Sequence, residues 1–450
     1  MKVLILAAGQ GKRMKSRVPK VVHRILDKPM INWVVDTAKK LSDEIAVVLG
    51  NGIDIVKSFL SNDIKIFEQK ERLGTGHAVM CAKDFLTDSD VLILYGDVPY
   101  ISENTLKSLL KMHTEGKNDS TILTVELENP TGYGRIIKKD NKLIKIIEEQ
   151  DASQEIKIIK EVYTGIGVFN SQKLKNALEK LTPNNAQGEY YLTEVFQYFE
   201  NVGILKTENE IEVCGVNDRI QLAELEKSIR KDILRNFMLE GVTVVDPDST
   251  YISPDVEIGI DTIIYPQTFI YGKTKIGENC EIGPLTRIKE CIIGNNVKIT
   301  RSECELTQVM DNVSVGPFSR LREGTFLEEN VKIGNFVETK KTHVSEASKA
   351  QHLTYLGDTY IGKNVNIGAG TITCNYDGKK KNKTYIDDDS FIGSNSSLVA
   401  PVKIGKNVII GAGSVITQDV PDFSLALGRA KQINKLNWVK EKRSDSEKGE

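Results

Sequence analysis

In the first half of the chain, short apolar runs alternate with amphipathic stretches: residues 2–8, then 30–41, 45–49, 91–94 and 121–125. Apolar runs of this length suit strands buried on both faces, and the stretches between them suit helices. The pattern therefore predicts βα units around a mostly parallel sheet. The second half has another texture. Ile-Gly or Val-Gly pairs start at Ile258, Ile276, Ile282, Ile293, Val315, Ile333, Ile361, Ile367, Ile392, Ile404 and Ile410, and six of the ten intervals are multiples of six. A six-residue period, with an aliphatic residue followed by a small one, is what a three-sided parallel β-helix needs: the aliphatic fills the coil and the small residue turns the corner. A β-sandwich with strands every eight to twelve residues does not generate sixfold spacing. The run from Lys340 to Gly368 reads as the longest interruption of the repeat.

Between the two textures Ile220, Leu222, Leu225, Ile229, Ile233 and Phe237 recur at helical steps with no Pro or Gly before Gly241, predicting a connecting helix of about 20 residues. The expected organisation is a domain over 1–219, a linker helix over 220–240 and a second domain over 241–450. The charged stretch from about residue 440 reads as a disordered tail.

Composition narrows the classes. The 450 residues carry 60 basic and 62 acidic side chains, a formal net charge of −2, so no electrostatic case exists for nucleic acid as a partner. The first apolar run, residues 3–8, is broken at once by Gly9 and Gly11 and is too short for a signal-peptide core or membrane span. Six scattered cysteines without a C-x-x-C pair argue against a zinc site or disulfide scaffold and suit reduced thiols in a cytoplasmic protein.

Directly after the first predicted strand stands Ala7-Ala8-Gly9-Gln10-Gly11-Lys12-Arg13-Met14. Glycines let backbone approach a ligand, and N–H groups turning into a helix N-terminus make a nest for phosphate, with Lys12 and Arg13 adding charge. Met14 stands where a dinucleotide fingerprint needs glycine, and the Gly-Lys-Ser/Thr ending of a P-loop is missing. This start, with Pro19-Lys20 behind it, resembles the sugar-nucleotide pyrophosphorylases. Five further blocks narrow the match: Leu73-Gly74-Thr75-Gly76-His77, Leu94-Tyr95-Gly96-Asp97-Val98-Pro99, Pro130-Thr131-Gly132-Tyr133-Gly134-Arg135, Asn185-Ala186-Gln187-Gly188-Glu189-Tyr190-Tyr191 and Gly215-Val216-Asn217. Together they resemble the N-acetylglucosamine-1-phosphate uridylyltransferase half of a bifunctional bacterial family, and the fold implied is an α/β, Rossmann-like nucleotidyltransferase. By that resemblance Leu6, Ala7, Ala8, Gly9, Arg13, Lys20, Gln69, Gly74 and Thr75 bind UTP, with Gln69 and the Gly74-Thr75 backbone reading uracil. Gly134, Glu148, Tyr163 and Asn217 face the sugar phosphate, and Asp97 with Asn217 hold Mg²⁺. Taken singly, Gln69 also fits a surface residue and Lys20 a solvated loop lysine. Tyr163 replaces the family's usual Asn, and Lys12 its usual Thr.

In the second half Leu321-Arg322, the run Gln351-His352-Leu353-Thr354-Tyr355-Leu356-Gly357-Asp358, the stretch from Asn366 to Gly378 and Gly393-Ser394 resemble the glucosamine-1-phosphate acetyltransferase half of the same family. The fold implied is a left-handed parallel β-helix of hexapeptide repeats. An amine must lose a proton before attacking a thioester, and histidine is the natural base near neutral pH. His352 is the candidate, since His23 and His77 belong to the other half and His113 and His343 read as surface residues. The resemblance further implies Arg322 and Lys340 on the sugar phosphate, and Tyr355, Asn366 and Lys381 on the sugar. It gives Asn375 and Tyr376 to the reacting centre with acetyl-CoA, and Ser394, Ala412 and Arg429 to acetyl-CoA. Glu323 replaces the usual Pro after Arg322. The implied partners are small molecules, with no membrane, and a second and third copy of the chain in a homotrimer. Two other readings compete: a nucleotidyltransferase for a different sugar phosphate, favoured by Tyr163, and a solenoid that only assembles the protein.

Overall fold

The computed structural model describes residues 1–446; the chain divides into two units, Met1–Ile233 and Leu234–Glu450. In the first unit β1 (Lys2–Ala7) is buried along its whole length and lies between β2 (Ile45–Leu49) and β4 (Val91–Tyr95), parallel to both. Outside β2 runs β3 (Lys65–Glu68), also parallel. Beyond β5 (Ser120–Glu126) a hairpin of β6 (Gly134–Lys139) and β7 (Lys142–Ile147) leads to β8 (Glu161–Phe169), then β9 (Val202–Thr207). The main path reads β9-β5-β8-β4-β1-β2-β3, with β8 antiparallel to its neighbours β4 and β5 and the remaining six strands sharing one direction. Two apolar clusters cover the faces. One holds Val3, Ile5, Ile31, Val34, Val47 and Leu92; the other holds Leu4, Ala46, Val79, Phe85, Ile93 and Phe169. Neighbouring residues of one strand thus feed opposite cores, as a sheet covered on both sides requires.

The loop after β1 departs from expectation. It opens into one 3-10 turn, Lys12–Met14, closed by Lys15 in the left-handed region, so no α-helix N-terminus backs the loop. Met14 is drawn into the core at 1% exposure, and the chain must turn back after three residues to seat it. His113, which reads as a surface residue, is buried on the helix Glu103–Gly116, where Nδ1 meets Thr121 Oγ1 at 3.1 Å. A polar ring on the inner face of a helix can be buried when the strand beneath offers it a hydroxyl partner. A helix over Arg219–Leu239 follows the sheet.

The second unit is a β-helix with three parallel ladders. One runs Ile264, Ile282, Ile299, Val315, Ile333, Ala350, Ile367, Ile392, Ile410. A second runs Ile252, Ile270, Ile288, Cys304, Leu321, and the third Ile258, Ile276, Ile293, Val309, Leu327, Val344. Most of these side chains are fully buried, each worth roughly 1.5–3 kcal/mol of transfer free energy. The stretch from Lys340 to Gly368 does not interrupt the coil. Ile333, Ala350 and Ile367 occupy successive rungs, and the repeat only looks broken because Ala350-Gln351 stands where other coils carry Ile-Gly. The real excursion is the loop between the strands Ile372–Cys374 and Thr384–Ile386. At the C-terminus Trp438–Ser446 is a helix where the charge density reads as a structureless tail. Its Lys, Glu and Arg residues are good helix formers without Gly or Pro among them. The rest of that tail, residues 447–450, lies outside the described residues.

Candidate functional site

The first site lies beyond the carboxyl ends of β1 and β4, where open α/β sheets hold ligands. Two adjoining cavities meet there, of about 300 and 280 Å³. Leu6, Ala7, Ala8, Gly9, Lys20, Gln69, Gly74 and Thr75 line the first. Arg13, Gly134, Glu148, Tyr163 and Asn217 line the second, and Asp97, Thr75 and Tyr95 belong to both walls. Every residue that the resemblance assigns in this half therefore lines at least one of the two adjoining cavities, whereas Lys12 is exposed and lines neither. Two glycines are held by contact: a Cβ on Gly11, whose φ is +62°, would sit 2.7 Å from Lys20 Cβ, and one on Gly74, φ +103°, would sit 2.5 Å from the Tyr190 carbonyl oxygen.

Lys20 and Gln69 are buried, at 8% and 5% exposure, and so are neither solvated nor superficial. The Lys20 ammonium donates to Asp97 Oδ2 and, at 3.1 Å, to Asn217 Oδ1. Two oxygen donors thus already converge on one cation. A carboxylate and an amide oxygen fit Mg²⁺, which takes one or two protein oxygens and completes its shell with water and substrate phosphate. Among the described residues no group of three His, Cys, Asp or Glu side chains forms an all-protein cage. Glu148 accepts from Thr193 Oγ1 at 2.8 Å. Burial pushes its carboxyl above the usual range, reinforced by Asp151, Glu189 and Glu194 and opposed by the Thr193 hydroxyl. Tyr163 is buried against Phe196, edge to face at 5.6 Å, and its hydroxyl donates to the Gly165 carbonyl at 2.8 Å. It is a wall of the sugar cavity whose proton is already engaged.

In the solenoid the candidates form three groups. Arg322, Lys340 and Lys381 come together as a basic cluster: Lys381 first, then Arg322, depress the Lys340 ammonium below its ordinary range. Arg322 is steadied by Glu338 Oε1 at 2.7 Å. Such mutual repulsion is relieved by a phosphate dianion between the cations. The second group is Tyr355 and Asn375, which approach across Gly357: a Cβ there would lie 2.4 Å from Tyr355 Oη and 2.7 Å from Asn375 Nδ2. Asn375 Nδ2 also donates to Asp358 Oδ2 at 2.5 Å. In the third group Arg429 Nη1 donates to the Ala412 carbonyl at 2.9 Å, and the Gly413 N–H to the Ser394 carbonyl at 2.8 Å.

His352 is exposed, and its side-chain partner is Asn335 Oδ1, 3.2 Å from Nδ1 and directly across the ladder. No hydrogen bond among the described residues joins it to the other groups. Tyr376 projects on the 375–383 loop with its hydroxyl on the Gly378 carbonyl at 2.7 Å, and Asn366 sits on the rung between Lys349 and Phe391. His343, half-buried, pairs with Glu328 Oε1 at 2.7 Å.

Several wall residues escape a reading of the sequence. Tyr95 and Glu189 lie inside quoted motif blocks and could have been taken from them. Arg72, Thr193 and Gln221 carry no local signal and reach the cavities only through the fold. Asn335 was legible only from its partner's register, 17 residues on.

Comparison with known proteins agrees with this architecture. A model of the MobA-like NTP transferase domain matches residues 3–160, and one of the bacterial transferase hexapeptide (six repeats) matches residues 383–418. Proteins named "Bifunctional protein GlmU" are similar along the whole chain. That of Fervidobacterium nodosum is 60% identical over 446 residues, covering 99% of this chain and 98% of its own. That of Thermosipho africanus is 59% identical over 448 residues, covering 99% of each, and that of Thermotoga maritima 56% identical over 446 residues, covering 99% and 100%. With a nucleotidyltransferase sheet, a hexapeptide solenoid and full-length relatives at this identity, the chain belongs to the bifunctional GlmU family of enzymes, which join a uridylyltransferase and an acetyltransferase in one polypeptide.

Proposed function

We propose that the solenoid transfers acetyl from acetyl-CoA to the amine of glucosamine-1-phosphate, and that the N-terminal unit joins the resulting N-acetylglucosamine-1-phosphate to UTP, releasing pyrophosphate and UDP-N-acetylglucosamine. The observation that carries this reading is the meeting of the two cavities at Asp97, with nucleotide candidates on one side and sugar candidates on the other. A sugar phosphate in the second cavity faces the α-phosphorus of a nucleotide in the first. In-line displacement then needs mainly positioning and charge neutralisation. Lys20 and Arg13 neutralise phosphate, Gln69 and Gly74-Thr75 hold uracil, and Glu148, Gly134, Tyr163 and Asn217 bound the sugar. Asp97 and Asn217 would hold Mg²⁺, which screens phosphate charge when bound.

In the acetyl transfer, Asn335 Oδ1 accepts a hydrogen bond from the Nδ1–H of His352, leaving the unprotonated Nε2 as the base for the ammonium group. Arg322 and Lys340 hold the sugar's phosphate, Tyr355, Asn366 and Lys381 the sugar, and Asn375 and Tyr376 the reacting centre. Ser394, Ala412 and Arg429 hold acetyl-CoA. We assign the activities to domains over 1–219 and 241–450 with a linker over 220–240, and the protein to the cytoplasm. No helix among the described residues is long and apolar enough to cross a membrane. We also assign a homotrimer. An exposed apolar column of stacked Phe318 and Phe336, with rings 5.6 Å apart, and Leu353 beside His352 supports burial of that corner by a neighbouring copy.

The deciding experiment supplies the full chain with each substrate pair separately and identifies products by mass spectrometry. Formation of both N-acetylglucosamine-1-phosphate and UDP-N-acetylglucosamine is expected. Turnover of another sugar phosphate in preference to N-acetylglucosamine-1-phosphate would overturn the assignment of the second cavity. Sedimentation showing only monomer at micromolar concentration would overturn the trimer.

A further inference from the structure

The side-chain amide of Gln69 is anchored twice. Its Nε2 donates to the Gly74 carbonyl at 3.0 Å and stands 3.1 Å from His77 Nδ1. An amide nitrogen only donates and a carbonyl oxygen only accepts, so the Gly74 oxygen fixes which end of the amide turns toward the protein. His77 Nδ1 is then an acceptor, and the imidazole proton sits on Nε2, 4.0 Å from Cys81 Sγ. Both hydrogens of the Gln69 amide are held by the protein. Its Oε1 has no hydrogen bond among the described residues and is the end left for the cavity that Gln69 lines.

We propose that His77 is a positioning residue for base selection: by accepting the second amide hydrogen it keeps Gln69 Oε1 toward the base, so that the site takes a pyrimidine with N–H at N3 and rejects one with a bare N3. Uracil carries that hydrogen; cytosine presents a lone pair there, which would face Oε1 with no proton between them. The proposal rests on the reading of Gln69 as a uracil contact. Gln69 is 5% exposed, so an amide turned the wrong way finds little water to compensate. A site built around a paired polar group discriminates far better than an apolar pocket. Without the His77 acceptor only the Gly74 carbonyl resists rotation of the amide, and a rotated amide offers its NH₂ to cytosine N3. The ring of His77 is itself held, half-buried beside Tyr190 with centroids 6.3 Å apart, so the acceptor is fixed in place before any nucleotide arrives.

The test measures kcat/KM for UTP and for CTP in the full-length enzyme, with melting temperatures, for wild type, Gln69→Ala, His77→Leu and His77→Asn. Asparagine puts its Oδ1 close to where Nδ1 lies and keeps the acceptor. The expected result is a fall of about tenfold in the UTP-to-CTP ratio for His77→Leu, the factor that about 1.4 kcal/mol of one hydrogen bond represents. It should arise mainly through the KM for UTP, with His77→Asn near wild type. If Gln69→Ala collapses the ratio and His77→Leu leaves it unchanged, His77 has no part in selection while the uracil contact stands. If Gln69→Ala leaves the ratio unchanged, the uracil contact itself is wrong and the proposal goes with it. Equal loss of UTP and CTP turnover in both His77 variants, with lowered melting temperatures, would make His77 a folding residue and overturn the proposal.

Discussion

The two units gather charged side chains in opposite ways. In the sheet unit the decisive contact joins Lys20 to Asn217, 197 residues apart, and the cavity walls come from loops scattered over the whole unit. In the solenoid four of the candidate contacts link consecutive coils: Arg322 to Glu338 across 16 residues, and His352 to Asn335, Asn375 to Asp358 and Arg429 to Ala412 across 17. The first site exists only once the whole unit has closed on itself, whereas a solenoid site needs only its own coil and the next. A lesion in the sheet unit therefore spreads through its site, and a lesion in the solenoid stays within two or three rungs.

The largest expected effect tests that locality. His352→Ala should lower acetyl transfer by roughly 10²- to 10⁴-fold, the usual range for general acid–base catalysis. Acetyl-CoA binding, measured by calorimetry, and uridylyl transfer should be unchanged. The defect should shrink as pH rises, because more of the amine is then already free. A variant that stays folded with near-normal acetyl transfer at pH 7 removes His352 from the mechanism. Next in size, Asp97→Asn should cut uridylyl transfer by about 10²-fold or more, since a lost ligand charge weakens metal affinity directly. Acetyl transfer should be untouched, and parallel loss of both activities would mean the units are not independent.

A smaller effect is expected at the basic cluster. Lys340→Met should raise the KM for glucosamine-1-phosphate about tenfold, the scale of one charge-assisted hydrogen bond, with kcat little altered. A fall in kcat at constant KM would relocate Lys340 from the phosphate to the reacting centre. The smallest is a gain. Glu148 has its folded-state pKa raised, so its ionised form costs stability at pH values above that raised pKa, and the cost disappears below the unfolded carboxylate value of about 4.3. Glu148→Gln keeps the Thr193 hydrogen bond and should raise the melting temperature of the N-terminal unit by about 2–4 °C at pH 7.5, with no gain at pH 4. Calorimetry at the two pH values checks it, and a gain of equal size at both would assign the effect to packing.

The same contrast explains which features are legible in the sequence. The strands at 2–7, 45–49 and 91–95 and the helix at 30–39 follow from apolar runs because each buries both faces or one stripe. The motif blocks name the loops between them, which is why the N-terminal candidates fell together. Thr193 and Gln221 were invisible because nothing local distinguishes a cavity threonine from a surface one. In the solenoid the period was plain, yet Ala350 hid a complete coil, since the pattern marks the size of the inward residue and not its position. His113 shows the converse: a polar ring whose burial depends on a hydroxyl only eight residues on, which shows as its partner only once the helix is laid against the strand that follows it.

The glycines at the solenoid corners have one more consequence. A Cβ on Gly334 would lie 2.0 Å from the Gln351 carbonyl oxygen, and one on Gly393 2.4 Å from the Ala412 backbone nitrogen. The backbone of the next coil occupies the space, so no rotamer change makes room. A side chain at either corner therefore needs the backbone of a coil to shift. Excising a whole coil does not, because the rungs above and below present the same parallel register and can rejoin. The length of the prism can therefore vary by whole turns while its cross-section stays fixed, and a measuring rod of this kind is adjusted by counting coils.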